Sequence, residues 1–287
     1  QFRQVTPGSY TLFGRAPAQP APAPGTPGIV TGIVRAGPQG MQLWATIMVS
    51  VATDVSGIAL TLRPPLTLSG RVRFDGAESK PPANLTQLRV TLFPPSVLQN
   101  VRSGVAVRTI AFVPPGTVRA DGTFELANVV PGRYVLSLSG PALEGTAWWA
   151  RSAMLGGRDL LDGEIEISGD TDLAGVEVTF TDRRSELSGT LQTGAGEATS
   201  DVFVIAYAAD RRFWGPNARR VQAVRPGVDG KYAIKDLPAG EYLLAAVTDI
   251  DQNEWQDPAF LERLQPASIK VTIADGEKKT LDLRVGG

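Results

Sequence analysis

The sequence predicts an all-β chain of tandem antiparallel β-sandwich domains, with one short helix per unit at most. Three observations carry that expectation. Apolar residues alternate with polar ones at period two in 88–92, 176–180, 202–207 and 269–273, the pattern of half-buried strands. The 31 Gly and 22 Pro supply turns between them, including Asp121-Gly122 and Asp229-Gly230 ahead of strands and Pro131-Gly132 between two. The third observation is a repeat of domain length.

Asp121-Gly122, Pro131-Gly132 and Tyr134 recur as Asp229-Gly230, Pro238-Ala239-Gly240 and Tyr242, with ten residues from the first Gly to the second in both copies. A shorter copy, Pro7-Gly8-Ser9-Tyr10, opens the chain. Leu68-Ser69-Gly70 returns 119 residues later as Leu187-Ser188-Gly189, and Asp54 to Leu62 resembles Asp172 to Phe180. A period of that size belongs to an array of domains rather than a solenoid of small units. The expected units are 1–66, 67–185 and 186–287. The first starts mid-module, which implies either a fragment of a longer array or a unit completed by another segment, in the extreme by a strand borrowed from a neighbouring copy.

The elements follow in order. Residues 15–28 are Pro- and Ala-rich and read as a stiff, solvated loop inserted into the first unit. Residues 151–161 are expected to match, in the second unit, a helix of the third. That helix is read from Asp257 as N-cap, Pro258 at the first position and Phe260, Leu261 and Leu264 one turn apart. Pro266 closes it. Trp148, Trp149 and Trp255 follow the motif tyrosines at similar spacing, which favours packing over ligand contact. The junctions, 63–65 and 181–184, are short, so neighbouring units should be stiffly coupled.

Composition excludes much chemistry. The 287 residues contain no His and no Cys, which removes Cys nucleophiles, His bases, haem, iron–sulfur and ordinary zinc sites, and disulfides. Twenty-eight basic against 29 acidic residues give a net charge of −1 without a basic block, against non-specific nucleic-acid binding. No apolar run has the length of a membrane span. The acids Glu164, Glu166 and Glu177 alternate with apolar residues, a wet sheet face rather than a catalytic pair. No catalytic residue, cofactor or metal is expected.

Two candidate sites remain. Asp249, Asp251 and Asn253 open like a calcium loop, but Glu254 and Phe260 stand where such a loop needs Gly and Glu. The polar-loop reading is preferred, with an irregular Ca²⁺ site near Asp249 to Asp257 as the alternative. Phe213, Trp214, Arg219 and Arg220 interleave aromatic and basic groups, suited to a polysaccharide or a partner peptide if exposed, or to lidding the sandwich if not.

The motif set Ser-Gly-x-Val, Asp-Gly-x-Phe and Pro-Gly-x-Tyr-x-Leu resembles the carboxypeptidase regulatory-like domain, a transthyretin-like and broadly Ig-like sandwich related to the Cna-B modules of bacterial surface proteins. The resemblance covers 68–136 and 187–244 well and the first copy in part. It implies a non-catalytic sandwich of seven or eight strands, used as a stalk, spacer, filament or adhesion segment, secreted and extracellular or at the cell surface, with the periplasm as the alternative. Open sheet edges lead to the expectation of protein partners or self-association through β-edges, with upstream domains of the same protein as candidate partners. Relatives carry an internal Lys–Asn bond, but Lys270, the one lysine in a clear strand, alternates opposite to Ile269 and Val271 and should face solvent. The rival expectation is a carbohydrate-binding module using exposed Trp and Arg.

Overall fold

The computed structural model describes residues 2–17, 42–95, 113–216, 218–248, 250–251 and 254–284. Nearly all the regular structure is β. Strands β1 (Gly8–Pro17) and β2 (Gln42–Val51) form an antiparallel ribbon of ten paired positions. Arg15 and Pro17 thus belong to a strand, not to the Pro-rich loop expected from residue 15; the rest of that loop, 18–28, lies outside the described residues.

A first sandwich follows. One sheet has β3 (Leu66–Asp75), β6 (Thr123–Val129), β8 (Trp149–Leu155), β9 (Arg158–Asp159) and β11 (Leu173–Thr181), in the order β6-β3-β11-β8-β9. The other has β4 (Arg89–Phe93), β5 (Gly116–Thr117), β7 (Gly132–Ser139) and β10 (Ile165–Ile167), in the order β10-β7-β4-β5. Leu68, Phe124 and Val178 from the first sheet and Val90, Leu136 and Ile165 from the second fill one shared core. That mixture makes the pair a sandwich. The expected helix at 151–161 is absent. Gly156 and Gly157 adopt φ of 57° and 79° and turn β8 onto β9, a conformation that glycine enters at little cost.

The second sandwich sets β12 (Glu186–Gln192), β15 (Lys231–Lys235), β18 (Lys278–Thr280) and β19 (Leu283–Arg284) against β13 (Val202–Ala208), β14 (Val221–Val224), β16 (Gly240–Thr248) and β17 (Ile269–Ile273). Helix α1 (Pro258–Leu264) starts as expected, with Asp257 Oδ1 accepting from the Ala259 N–H at 2.9 Å. Pro266 does not end the helical run but sits in a further 3₁₀ turn, Gln265–Ala267. Phe260 and Leu261 bury themselves with Ile205, Tyr207 and Trp214 on the outer face of β13. A half-buried strand was expected at 202–207; because helix and sheet core cover both its faces, β13 is buried almost throughout.

The repeated motifs have a physical reason. In both sandwiches the Asp of Asp-Gly accepts from the N–H two residues on (Thr123 at 2.9 Å, Lys231 at 3.1 Å), while Gly122 and Gly230 take φ of 82° and 73°. Each motif tyrosine folds its hydroxyl back onto the carbonyl four residues earlier: Tyr10 to Thr6 at 2.6 Å, Tyr134 to Val130 at 2.9 Å and Tyr242 to Pro238 at 2.6 Å. The intervening glycine lets the ring lie flat over the backbone, with Cε2 of the Tyr 3.4–3.7 Å from where a Cβ would stand. Tyr242 is fully buried and the Tyr10 bond is solvent-exposed. Tyr242→Phe should therefore cost about 1–2 kcal/mol, as an acceptor is left dry, and Tyr10→Phe nearly nothing. Chemical denaturation of the two variants measures the contrast.

Opening and closing strands pair in parallel in both sandwiches: β3 with β11, and β12 with β18 and β19. At the crossing of each pair stands a glycine, Gly70 or Gly189. A Cβ there would overlap the carbonyl oxygen of Val176 or Leu281.

Candidate functional site

The aromatic–arginine segment begins at the end of β13. Asp210 caps a 3₁₀ turn, Arg211–Phe213, by accepting from the Arg212 N–H at 2.9 Å. Trp214 then turns inward: it is 9% exposed, donates its indole N–H to the Ala208 carbonyl at 2.6 Å and meets Tyr207 edge-on at 5.6 Å. Arg211 forks onto both oxygens of Glu262 at 2.9 Å, tying the turn to α1. Phe213 remains half-buried beneath the Arg220 guanidinium, 4.7 Å from its ring centre.

Arg219 and Arg220 cross to the first sandwich. Arg219 Nε lies 2.7 Å from Asp162 Oδ1 and its Nη2 2.7 Å from Asp159 Oδ2, while Nη1 donates to the Arg151 carbonyl at 2.8 Å. Arg220 Nε lies 2.9 Å from the same Asp162 oxygen, off the line of a good hydrogen bond, and its Nη1 donates to the Ala239 carbonyl at 3.0 Å. The four charged side chains are only 8–19% exposed. Asp159 uses its other oxygen to accept from the N–H groups of Ala153 and Leu161, which locks the 158–162 turn beneath the pair.

More wet contacts cross the same junction. Arg151 bridges Asp75 (2.6 Å) and Asp275 (3.2 Å), and Arg184 pairs with Asp236 at 2.7 Å. Burial holds the Asp236 carboxyl above its ordinary value although Arg184 opposes that. The Trp149 indole donates to the Arg183 carbonyl at 3.0 Å, as Trp44 does to Pro64 at 2.8 Å before the first sandwich. Both short linkers are thus latched by a tryptophan of the preceding strand pair. Beside the first latch an open cleft of about 660 Å³, lined by Trp44, Arg63, Pro64 and Asp170, is bridged by an exposed Arg63–Asp170 pair at 2.9 Å.

The four residues singled out from sequence are therefore brought together, but not as an exposed platform. Trp214, Arg219 and Arg220 are spent on packing and on the junction, and Phe213, half-buried like the two arginines, lies under the Arg220 guanidinium. None of the five tryptophans is exposed, and four donate their indole N–H to backbone carbonyls. Asp159 and Asp162 were not anticipated, since nothing in spacing links them to arginines 57 and 60 residues away.

The calcium alternative falls partly outside the described residues, which exclude Asp249 and Asn253. Of its other members, Asp257 caps α1 and Glu254 meets Arg263 at 3.3 Å. Among the described residues no three acids cluster as a metal site would require. Lys270 meets Glu241 at 2.9 Å, and both side chains are well exposed. Glu177 pairs with Arg73 on an open face of β11, while Glu164, expected on a strand, precedes β10 and meets Arg133 at 3.4 Å. No helix of the described residues is long and apolar enough to cross a membrane.

One carboxylate stands apart. Asp182, at the end of β11, accepts from the N–H groups of Ala77, Glu78 and Ser79 at 3.0, 2.9 and 2.6 Å. Those three bonds hold its pKa at about 2, down from 3.8. With the folded value depressed, its stabilisation is full above about pH 4 and is lost as pH falls towards 2. Asp182→Ala should remove that part of the acid sensitivity and loosen 77–79, read from acid denaturation and hydrogen exchange.

No family model matches the chain, and no curated protein does. Among solved structures it is similar to the Bacillus anthracis TIE protein, at 14% identity over 86% of this chain and 40% of that one, with a TM-score of 0.25. The minor pilin of Streptococcus agalactiae is 12% identical over 77% and 95% of the two chains, TM-score 0.28. Catechol 1,2-dioxygenase of an Acinetobacter species is 11% identical over 36% and 52%, TM-score 0.22. The chain spans 40% of the length of the first of these. Likenesses this faint carry no argument about fold or function, and the chain's own geometry must do so.

Proposed function

We propose that the chain is a non-catalytic structural segment of a bacterial surface protein: a stalk, spacer or filament-forming array of carboxypeptidase regulatory-like modules at the cell surface or outside the cell. It acts by holding its units at fixed spacing and by offering sheet edges and side surfaces to protein partners. The observation that supports this most is the buried cluster of Arg219 and Arg220 with Asp159 and Asp162. Surface ion pairs form and break freely, but a charge group withdrawn from water must stay matched, so the two sandwiches are held in one orientation. The Trp149 latch and the Arg151 bridge act in the same direction.

The test is the distance distribution between spin labels placed on exposed positions of β6 and β17. A single narrow distance, unchanged between 0.1 and about 1 M salt, agrees with a spacer, because buried pairs are screened little. A broad or salt-dependent distribution overturns it. Polysaccharide binding that Phe213→Ala abolishes would instead favour the carbohydrate-binding module.

A further inference from the structure

Residues 54–62 leave the ribbon as unpaired chain. Among the described residues no strand pairs with them before Arg63 bridges to Trp44. Position by position they match β11. Gly57 and Gly175 share the left-handed backbone, with φ of 74° and 86°. Arg63 pairs with Trp44 as Thr181 pairs with Trp149. Ile58, Leu60 and Leu62 then stand where β11 has Val176, Val178 and Phe180. Those three are at most 1% exposed, because β3 lies parallel beside them and the opposing sheet covers them. Ile58, Leu60 and Leu62 keep 40%, 39% and 41% of their surface in water.

The two sandwiches define what covers such a segment. β3 presents Leu68, Gly70 and Val72 to the closing strand, and β12 presents Leu187, Gly189 and Leu191. The central glycine is obligatory there, because the closing strand's carbonyl occupies the space a Cβ would need. We propose that 58–62 is a docking edge for an incoming parallel β-strand of the pattern apolar-x-Gly-x-apolar, an extended polypeptide segment not already paired in its own fold. Backbone hydrogen bonds along 58–62 supply the affinity, and the glycine and its flanking apolar residues supply the selectivity. A second copy of this chain is a poor donor: β3 is held between β6 and β11, and β12 between β15 and β18. The proposal rests on the protein-contact part of the function above, while fixed spacing stands without it.

The experiment titrates the full chain into a fluorescein-labelled peptide of residues 66–75, read by anisotropy and by hydrogen exchange. Saturable binding with protection gained at 58–62 is expected. The same peptide carrying Gly70→Val should bind at least ~tenfold more weakly. Leu60→Asp, at a surface position, should abolish binding while both sandwiches melt as before. Protection elsewhere than 58–62, equal binding of the Gly70→Val peptide, or no binding at all overturns the proposal. So does a concentration-dependent dimer that the peptide fails to displace, which would make a second copy the occupant. The spin-label distances are unaffected by any of these outcomes, so failure here and failure of the spacer reading are separable.

Discussion

Asp162→Ala should lower the stability of the chain by about 3–5 kcal/mol, because it leaves two guanidinium groups facing one another with their shared partner gone. The penalty is that of the Arg220 charge left without its acid at 14% exposure, beside an Arg219 that keeps Asp159 at 2.7 Å, rather than of one lost contact. In calorimetry the midpoint should fall by about 10 °C. The two sandwiches should then melt separately, because the cluster is the most buried link between them. Arg63→Ala, which breaks the exposed pair with Asp170 at the other junction, should change stability by less than about 1 kcal/mol. A double-mutant cycle of Arg219→Ala with Asp162→Ala should show coupling above about 1 kcal/mol. Equal, small losses from Asp162→Ala and Arg63→Ala would mean that water reaches the cluster.

Gly189→Val should be the most damaging single change in the second sandwich. Replacing a strand glycine by a residue with a side chain ordinarily gains stability, about 0.5–1 kcal/mol for alanine. Here the added Cβ overlaps the Leu281 carbonyl, which also accepts the Tyr232 hydroxyl, so the parallel pair must part or the tyrosine must move. Overpacking of this kind costs about 3 kcal/mol, and the displaced hydrogen bond adds about 1. Burial also holds the Tyr232 pKa at about 12, with the Asp282 carboxylate adding to the rise. The raised value means that its contribution is complete below about pH 10 and is lost as pH rises through 12. In the folded fraction of Gly189→Val the tyrosine should ionise at lower pH, visible in its ultraviolet spectrum. Gly14→Ala is the control: its Cβ would meet only the end of the Leu60 side chain at 3.2 Å, and stability should barely move. Unchanged stability in Gly189→Val would refute the close approach of β12 to the closing strand.

The local features were legible in the sequence because their physics is local. The recurring Tyr10, Tyr134 and Tyr242, the Asp-Gly turns and the Asp257 cap each involve atoms a few positions apart, so spacing reveals them, although the reach of each tyrosine hydroxyl to the carbonyl four residues back showed only in the structure. The 151–161 helix was an error of analogy with the third unit; Gly156-Gly157 was the hairpin signal to heed. The double burial of β13 depends on where α1 docks, and a strand's own alternation does not report what lies over its outer face. The role of Arg219 and Arg220 was out of reach for another reason. A charged side chain carries no periodicity that names its partner, and the partners lie in a different sandwich.

The parallel pairing of opening and closing strands also fixes how each sandwich meets a pull on its ends. Tension on Leu66 and Thr181 runs along β3 and β11 in opposite senses, so the rungs between them are sheared together instead of being peeled one at a time. The same holds for β12 against β18 and β19. Stretched end to end, each sandwich should resist by the sum of its rungs, and when it yields it should do so abruptly.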